Sequence, residues 1–295
     1  MSQTVKSLLM LVAMCVGIFF ARTVSAVDVA LGGMIAPSSL FAMLFITFCC
    51  VDLRDLRFSM LHFWIVLFQI VTAIASYYLL LPFGLFLAQG IMICFAMPVA
   101  MAAVVVGRLL GAKVVTIATF SVVSNVVMAF FIPMFFTHIG SQGCSFALIF
   151  AKVAPLMILP PLVAQLFRFT LPSVTAWFSV RGGISYYLWL VSLTISVGRT
   201  VTYILNNIGS IDLSLGVMLS LGALFTCVVQ YRVGRLLGIR YGEAVAGEQS
   251  LGQKNTILAI WMTQTFLSPI ASIAPTTYVL WQNLINSYKI FRYKG

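Results

Sequence analysis

Polar side chains crowd one stretch of an otherwise apolar chain: Gly247-Glu248-Gln249-Ser250-Leu251-Gly252-Gln253-Lys254-Asn255. Two of these residues are ionisable, and four more carry amide or hydroxyl groups. A charge at bilayer depth costs about 2.5–3.5 kcal/mol even on insertion scales, so a lipid-facing helix cannot hold this run. It must face protein or a wet cavity. Gly247 and Gly252 permit local unwinding, and irregular backbone at membrane depth is tolerated only where it lines a cavity. Lys254 lies about 9 Å deeper than Glu248 at helical rise. An amine there offers three chemistries: proton exchange, a fixed charge for an organic anion, or permanent pairing with Glu248. Glu248 reads as the one acidic residue inside the membrane, because Asp28, Asp52, Asp55, Asp212 and Glu243 fall at span ends or in loops.

Other polar residues interrupt apolar spans more sparingly. Pro98, in Ala96-Met97-Pro98, breaks one span, and the next carries Ser121, Ser124 and Asn125. Gln69 sits inside a third. Lys152, beside Pro155, Pro160 and Pro161, reads as a side chain that snorkels to the outer interface, and Arg199 reads the same way. His62 and His138 are lone residues at span ends, so no metal site is expected. Cys15, Cys49, Cys50, Cys94, Cys144 and Cys227 lack paired spacing and read as small buried hydrophobes. Trp177, Trp189, Trp261 and Trp281 read as interfacial or lipid-facing anchors. No nucleophile elbow, zinc-protease motif or phosphate loop occurs, so neither an enzyme nor a cofactor is expected.

The elements that position these residues follow from composition. The chain has 295 residues, of which 62% are hydrophobic and 8% charged, against about 45–50% and 25% in soluble proteins. Mean hydropathy is +1.10. A membrane protein is implied; soluble enzymes, coiled coils and disordered tails are excluded. The formal charge of +11 comes from cations scattered between apolar runs. That is not the basic stripe nucleic-acid binding requires, and no such partner is expected.

A span needs about 20 apolar residues. Apolar runs and their breaks give ten: 5–26, 34–51, 62–81, 84–107, 114–138, 144–167, 182–205, 212–234, 243–266 and 269–290. The first also resembles a cleavable signal peptide, but a retained helix is the preferred reading. With the N-terminus inside, most of the 17 Lys and Arg fall on inner segments, including Arg54, Arg57, Arg108, Lys113, Arg168, Arg181, Arg232, Arg235 and Arg240. Outer segments hold only Arg22 and Arg199. This positive-inside pattern places both termini in the cytoplasm of a cell (inner) membrane. Five spans per half is odd, so a duplicated unit, 1–141 and 142–295, must insert upside down the second time, as in many secondary transporters.

Several of these stretches resemble the bile acid:sodium symporter family, within the wider superfamily of bile acid, arsenite and riboflavin-type transporters. Residues 40–58, ending Val51-Asp52-Leu53-Arg54-Asp55-Leu56-Arg57, resemble its second helix and exit. Residues 97–113 and 114–133 resemble its broken fourth and its fifth helix, with Ser121, Ser124 and Pro133 in matching places. Gly252-Gln253-Lys254-Asn255 resembles its ninth-helix "E-x-G-x-Q-N" motif. The resemblance implies a panel of spans 1, 2, 6 and 7, and a core of spans 3–5 and 8–10, with broken helices 4 and 9 crossing at the site. It also implies transport of organic anions such as bile acids, pantoate, pyruvate or sulfated steroids, usually with sodium.

The sodium ligands implied by the resemblance are missing. The fourth-helix "P-G-G-T-A-S-N-V" aligns with Pro98–Val105, which puts Ala103 and Val104 at the Ser and Asn positions, and a fifth-helix Ser becomes Ile117. A register on Gly252 and Asn255 puts Ser250 at the Glu and Lys254 at the Gln; a one-residue shift restores Gln253. Gln69 matches another ligand. Apolar side chains offer a hard cation no oxygen, and an ammonium repels it. The expectation is an alternating-access carrier of a small organic anion, independent of sodium, with Lys254 in place of the cation. Coupling is then to protons through Lys254 and Glu248, or by exchange. The alternative is a non-transporting sensor or structural membrane protein. Expected site residues are Lys254, Glu248, Gln253, Asn255, Ser250, Ser121, Asn125, Gln69 and Pro98.

Overall fold

A computed structural model describes residues 3–100, 102–139, 145–181, 183–206 and 212–294. The junction expected between the two halves, and Cys144, lie outside these. The first part of the chain forms α1 (Gln3–Phe19), α2 (Ala21–Ala30), α3 (Ile35–Cys49), α4 (Met60–Leu80), α5 (Leu85–Ala96), α6 (Ala102–Leu109) and α7 (Val114–Ile139). The second forms α8 (Phe146–Thr170), α9 (Pro172–Val180), α10 (Ile184–Asn206), α11 (Leu213–Arg240), α12 (Ala244–Gly252), α13 (Thr256–Phe266) and α14 (Ile273–Lys294). The structure is 88% helical, without a strand among the described residues.

Five helices are long and apolar enough to cross a bilayer alone, and a sixth span results if the bent pair α1/α2 counts as one. Outward faces carry large apolar side chains, such as Leu79 at 71% exposure and Phe225 at 68%. Soluble proteins rarely leave such surface to water. The chain is an all-α, multi-pass membrane protein. Its interior packs Met92, Ile93, Met97, Phe136, Phe266 and Tyr278 away from all solvent.

Several expectations need correction. The unbroken first helix over 5–26 is instead an elbow, with α1 and α2 bent by 85°. Arg22, Thr23, Ser25 and Asp28 make α2 too polar to continue a span. The bend lays it against α10, where Asp28 is fully buried and pairs with Arg199 at 3.1 Å. Asp28, in the last turn of α2, is therefore a buried partner rather than an exposed end charge, and Arg199 does not snorkel. Trp261 is buried rather than an anchor and packs edge-on to Phe266. The connection before residue 182 holds an extra helix, α9, which opens on Pro172, the residue best suited to a first helical turn.

Packing in the two parts of the chain is matched pair by pair. α4 packs on α5 as α11 packs on α12; α6 meets α7 as α13 meets α14; α5 touches α13 and α14, as α12 touches α6 and α7. The α11–α12 hairpin is the tightest of these contacts. A Cβ on Gly247 would lie 2.4 Å from the Gly234 carbonyl oxygen, and one on Gly234 would lie 2.4 Å from that of Gly247. Gly247 thus sits inside a regular helix as a point of close approach, not as the unwinding residue its type suggested.

Candidate functional site

Two helix interruptions meet inside the protein. α5 stops at Ala96 because Pro98 has no amide hydrogen and forces Met97 into extended geometry (φ −64°, ψ 141°). α12 stops at Gly252, and Gln253 is likewise extended (φ −89°, ψ 99°). The exposed backbone groups pair with each other: the Asn255 amide donates to the Pro98 carbonyl at 2.9 Å, and the Ala100 amide to the Gln253 carbonyl at 2.8 Å. Val99 and Lys254 form a short antiparallel bridge. Unpaired amides at such depth would each cost several kcal/mol. Each break therefore completes the other.

The carbonyls at the end of α5 have no intrahelical partner, and side chains from distant helices take them. Gln230 donates to the Cys94 oxygen at 3.1 Å. Lys254 Nζ donates to the Phe95 oxygen at 3.3 Å. Gln69 donates to the Ala96 and Met97 oxygens at 3.0 and 2.6 Å. On the other side, the Lys254 amide donates to Gln282 at 3.0 Å and Tyr278 donates to the Gly252 oxygen at 2.8 Å. Gln253 Oε1 accepts from Tyr231 at 3.0 Å and from Asn286. Asn255 accepts from the Leu258 amide and so caps α13.

Lys254 is 1% exposed. No carboxylate among the described residues is its ion-pair partner, since the pairs formed are Lys113–Glu243, Arg168–Asp52, Arg199–Asp28, Arg235–Glu248 and Lys289–Glu248. The partial negative charge at the α5 C-terminus is worth at most about 2 kcal/mol. Desolvating an ion costs several kcal/mol. The cap therefore does not neutralise the ammonium.

Glu248 differs. One turn before the break, it pairs with Lys289 and, at 3.5 Å, with Arg235, while Lys289 also lies 4.2 Å from the centre of the Tyr231 ring. A Glu248–Lys254 pair, the alternative to a direct role for Lys254, is not formed; α11 and α14 instead bring Arg235 and Lys289 to Glu248.

Of the other expected residues, Gln69, Pro98, Gln253, Lys254 and Asn255 come together. Asn125 donates to the Ser121 carbonyl at 2.8 Å within α7, a wall against α6 and α12 rather than part of the bridge. Ser250 is buried, and its hydroxyl has no partner among the described residues; the same holds for Gln69 Oε1, Ser124 Oγ, Asn125 Oδ1 and Gln249 Oε1. Ala103 is fully buried and supplies no side-chain oxygen. Lys152 is exposed. Two depressions, about 260 and 230 Å³, are lined by other residues.

Residue types alone did not single out Gln230, Tyr231, Tyr278, Gln282, Asn286 and Lys289. A signal existed: 278, 282, 286 and 289 recur at helical spacing and lie on one face of α14.

No protein-family model matches the chain, and no curated protein sequence matches it.

Proposed function

We propose that this protein is a secondary active transporter of a small organic anion, working by alternating access around the two meeting breaks. The observation that carries the reading is Lys254: a buried amine at a helix discontinuity, without a carboxylate partner among the described residues. A buried charge is ordinarily paired, and an anionic substrate supplies the missing partner. Transporters of this architecture bind near the midplane, where interrupted helices meet. The orphaned oxygens of Gln69, Ser124, Asn125 and Ser250 add hydrogen-bonding capacity on the surrounding helices. Since Lys254 is enclosed, the substrate reaches it only when one helix group moves against the other.

On this reading the chain crosses the inner membrane ten times as two inverted five-span units, with both ends in the cytoplasm. Spans 1, 2, 6 and 7 form a panel, and spans 3–5 and 8–10 form a core. The matched packing of α4–α7 and α11–α14 supports it, since exchanging the two sets reproduces most of the same neighbours. The broken spans α5/α6 and α12/α13 then correspond to the crossing fourth and ninth helices of the bile acid:sodium symporter family, to which we assign the chain as a divergent member. Lys254 replaces the coupling cation, so transport does not use sodium.

Purified protein in liposomes, tested for counterflow of labelled pyruvate, pantoate and taurocholate, decides the matter. Saturable counterflow that persists when choline replaces sodium is expected. Counterflow of none of the three would count against a carrier, and a strict sodium requirement would remove Lys254 from the coupling role.

A further inference from the structure

We infer that the carrier takes monoanions and moves one proton with each, the proton riding on Lys254 and not on Glu248. This rests on the transport reading above and adds its coupling ion and substrate charge.

The closed site around Lys254 is nearly sealed, and among the described residues the one polar contact for Nζ is the neutral Phe95 carbonyl at 3.3 Å. Among the described side chains, the titratable groups on the elements around it are Cys94 on α5; Cys227, Tyr231, Arg232, Arg235 and Arg240 on α11; Glu248 on α12; and Tyr278, Tyr288, Lys289 and Arg292 on α14. Glu248, the single carboxylate among them, has one oxygen on Lys289 and the other on Arg235. Its charge is already answered by two cations. On α4 and α7, His62 hydrogen-bonds to Ser59 and the Thr116 carbonyl at the end of the bundle, away from the breaks.

Two closed states then avoid an uncompensated charge. In one, the site is empty and Lys254 is a neutral amine; in the other, Lys254 is an ammonium facing one negative charge. A closed ammonium without an anion leaves a bare cation in low dielectric, and a dianion leaves a bare negative charge. By linkage, the anion raises the affinity of Lys254 for a proton, and the proton raises its affinity for the anion by the same factor. When the site opens on one face, water supplies the proton as the anion enters. On the other face both leave. Each cycle moves one proton and one negative charge, so no net charge crosses.

The test uses wild-type protein in liposomes with a pH dye inside, sodium replaced by choline. The probes are taurocholate, pyruvate and pantoate as monoanions and succinate as a dianion. Each monoanion taken up should acidify the lumen by about one proton. An inward acid gradient of one unit should raise its steady accumulation about tenfold, and a potassium–valinomycin potential should leave accumulation unchanged. Succinate should not accumulate. Glu248→Gln, where it folds, should keep the proton ratio, whereas Lys254→Gln should lose both the proton movement and the pH gradient dependence. Monoanion uptake without proton movement, or driven by the imposed potential, overturns the coupling while leaving the carrier intact. Absence of uptake and counterflow of every probe overturns the carrier reading itself.

Discussion

Glu248 and Lys254 stand on the same stretch of chain, yet their surroundings are opposite. Glu248 is a buried anion held by two cations, Lys289 and Arg235. Lys254 is a buried amine whose Nζ donates to a backbone carbonyl. Removing one partner of a satisfied buried pair leaves the other uncompensated and is strongly destabilising. Removing a charge that has no partner relieves a cost. The first arrangement holds the α11–α12–α14 corner together; the second leaves the Lys254 amine without a carboxylate partner among the described residues.

Substitutions sharpen or break this contrast. Glu248→Gln should lower unfolding stability in detergent by about 3 kcal/mol, the low end for a broken buried pair because Lys289 keeps 24% of its side-chain surface. Less than about 1 kcal/mol would show that the pair is as dispensable as an exposed one. Gly247→Ala, which drives a methyl into the Gly234 carbonyl, should cost about 1–3 kcal/mol as overpacking. Gly216→Ala, with open space around it, is its control. Lys254→Met should change stability by less than about 1 kcal/mol in either direction, while lowering anion uptake at least about tenfold through the lost charge-assisted contact. A large stability loss instead would make Lys254 a structural cap of α5. Lys152→Gln, on an exposed face, should stay within about 0.5 kcal/mol and transport normally. If it matched Lys254→Met in uptake, the special role of Lys254 would be lost.

The two breaks were legible before their wiring. The polar run at 247–255 and Pro98 each announce a discontinuity, because lipid penalises polar side chains and a proline cannot supply an amide. That the two discontinuities hydrogen-bond to one another involves partners more than 150 residues apart, as in the Lys254–Phe95 contact, 159 residues apart. Asp28 and Arg199, separated by 171 residues, escaped for the same reason: each alone resembles an interfacial charge. Gly247 shows a different ambiguity. Glycine serves unwinding and close packing equally well, and only the position of Gly234 decides between them. The unbroken first helix was a matter of length, since an apolar run counts residues but does not report an elbow.

The paired amides of Pro98–Ala100 and Gln253–Asn255 have a mechanical corollary. Sliding α5/α6 past α12/α13 would tear two backbone bonds at once, with no water at hand to replace them. In the alternating access proposed above, these four helices would therefore travel as one stitched block, with any hinge outside it.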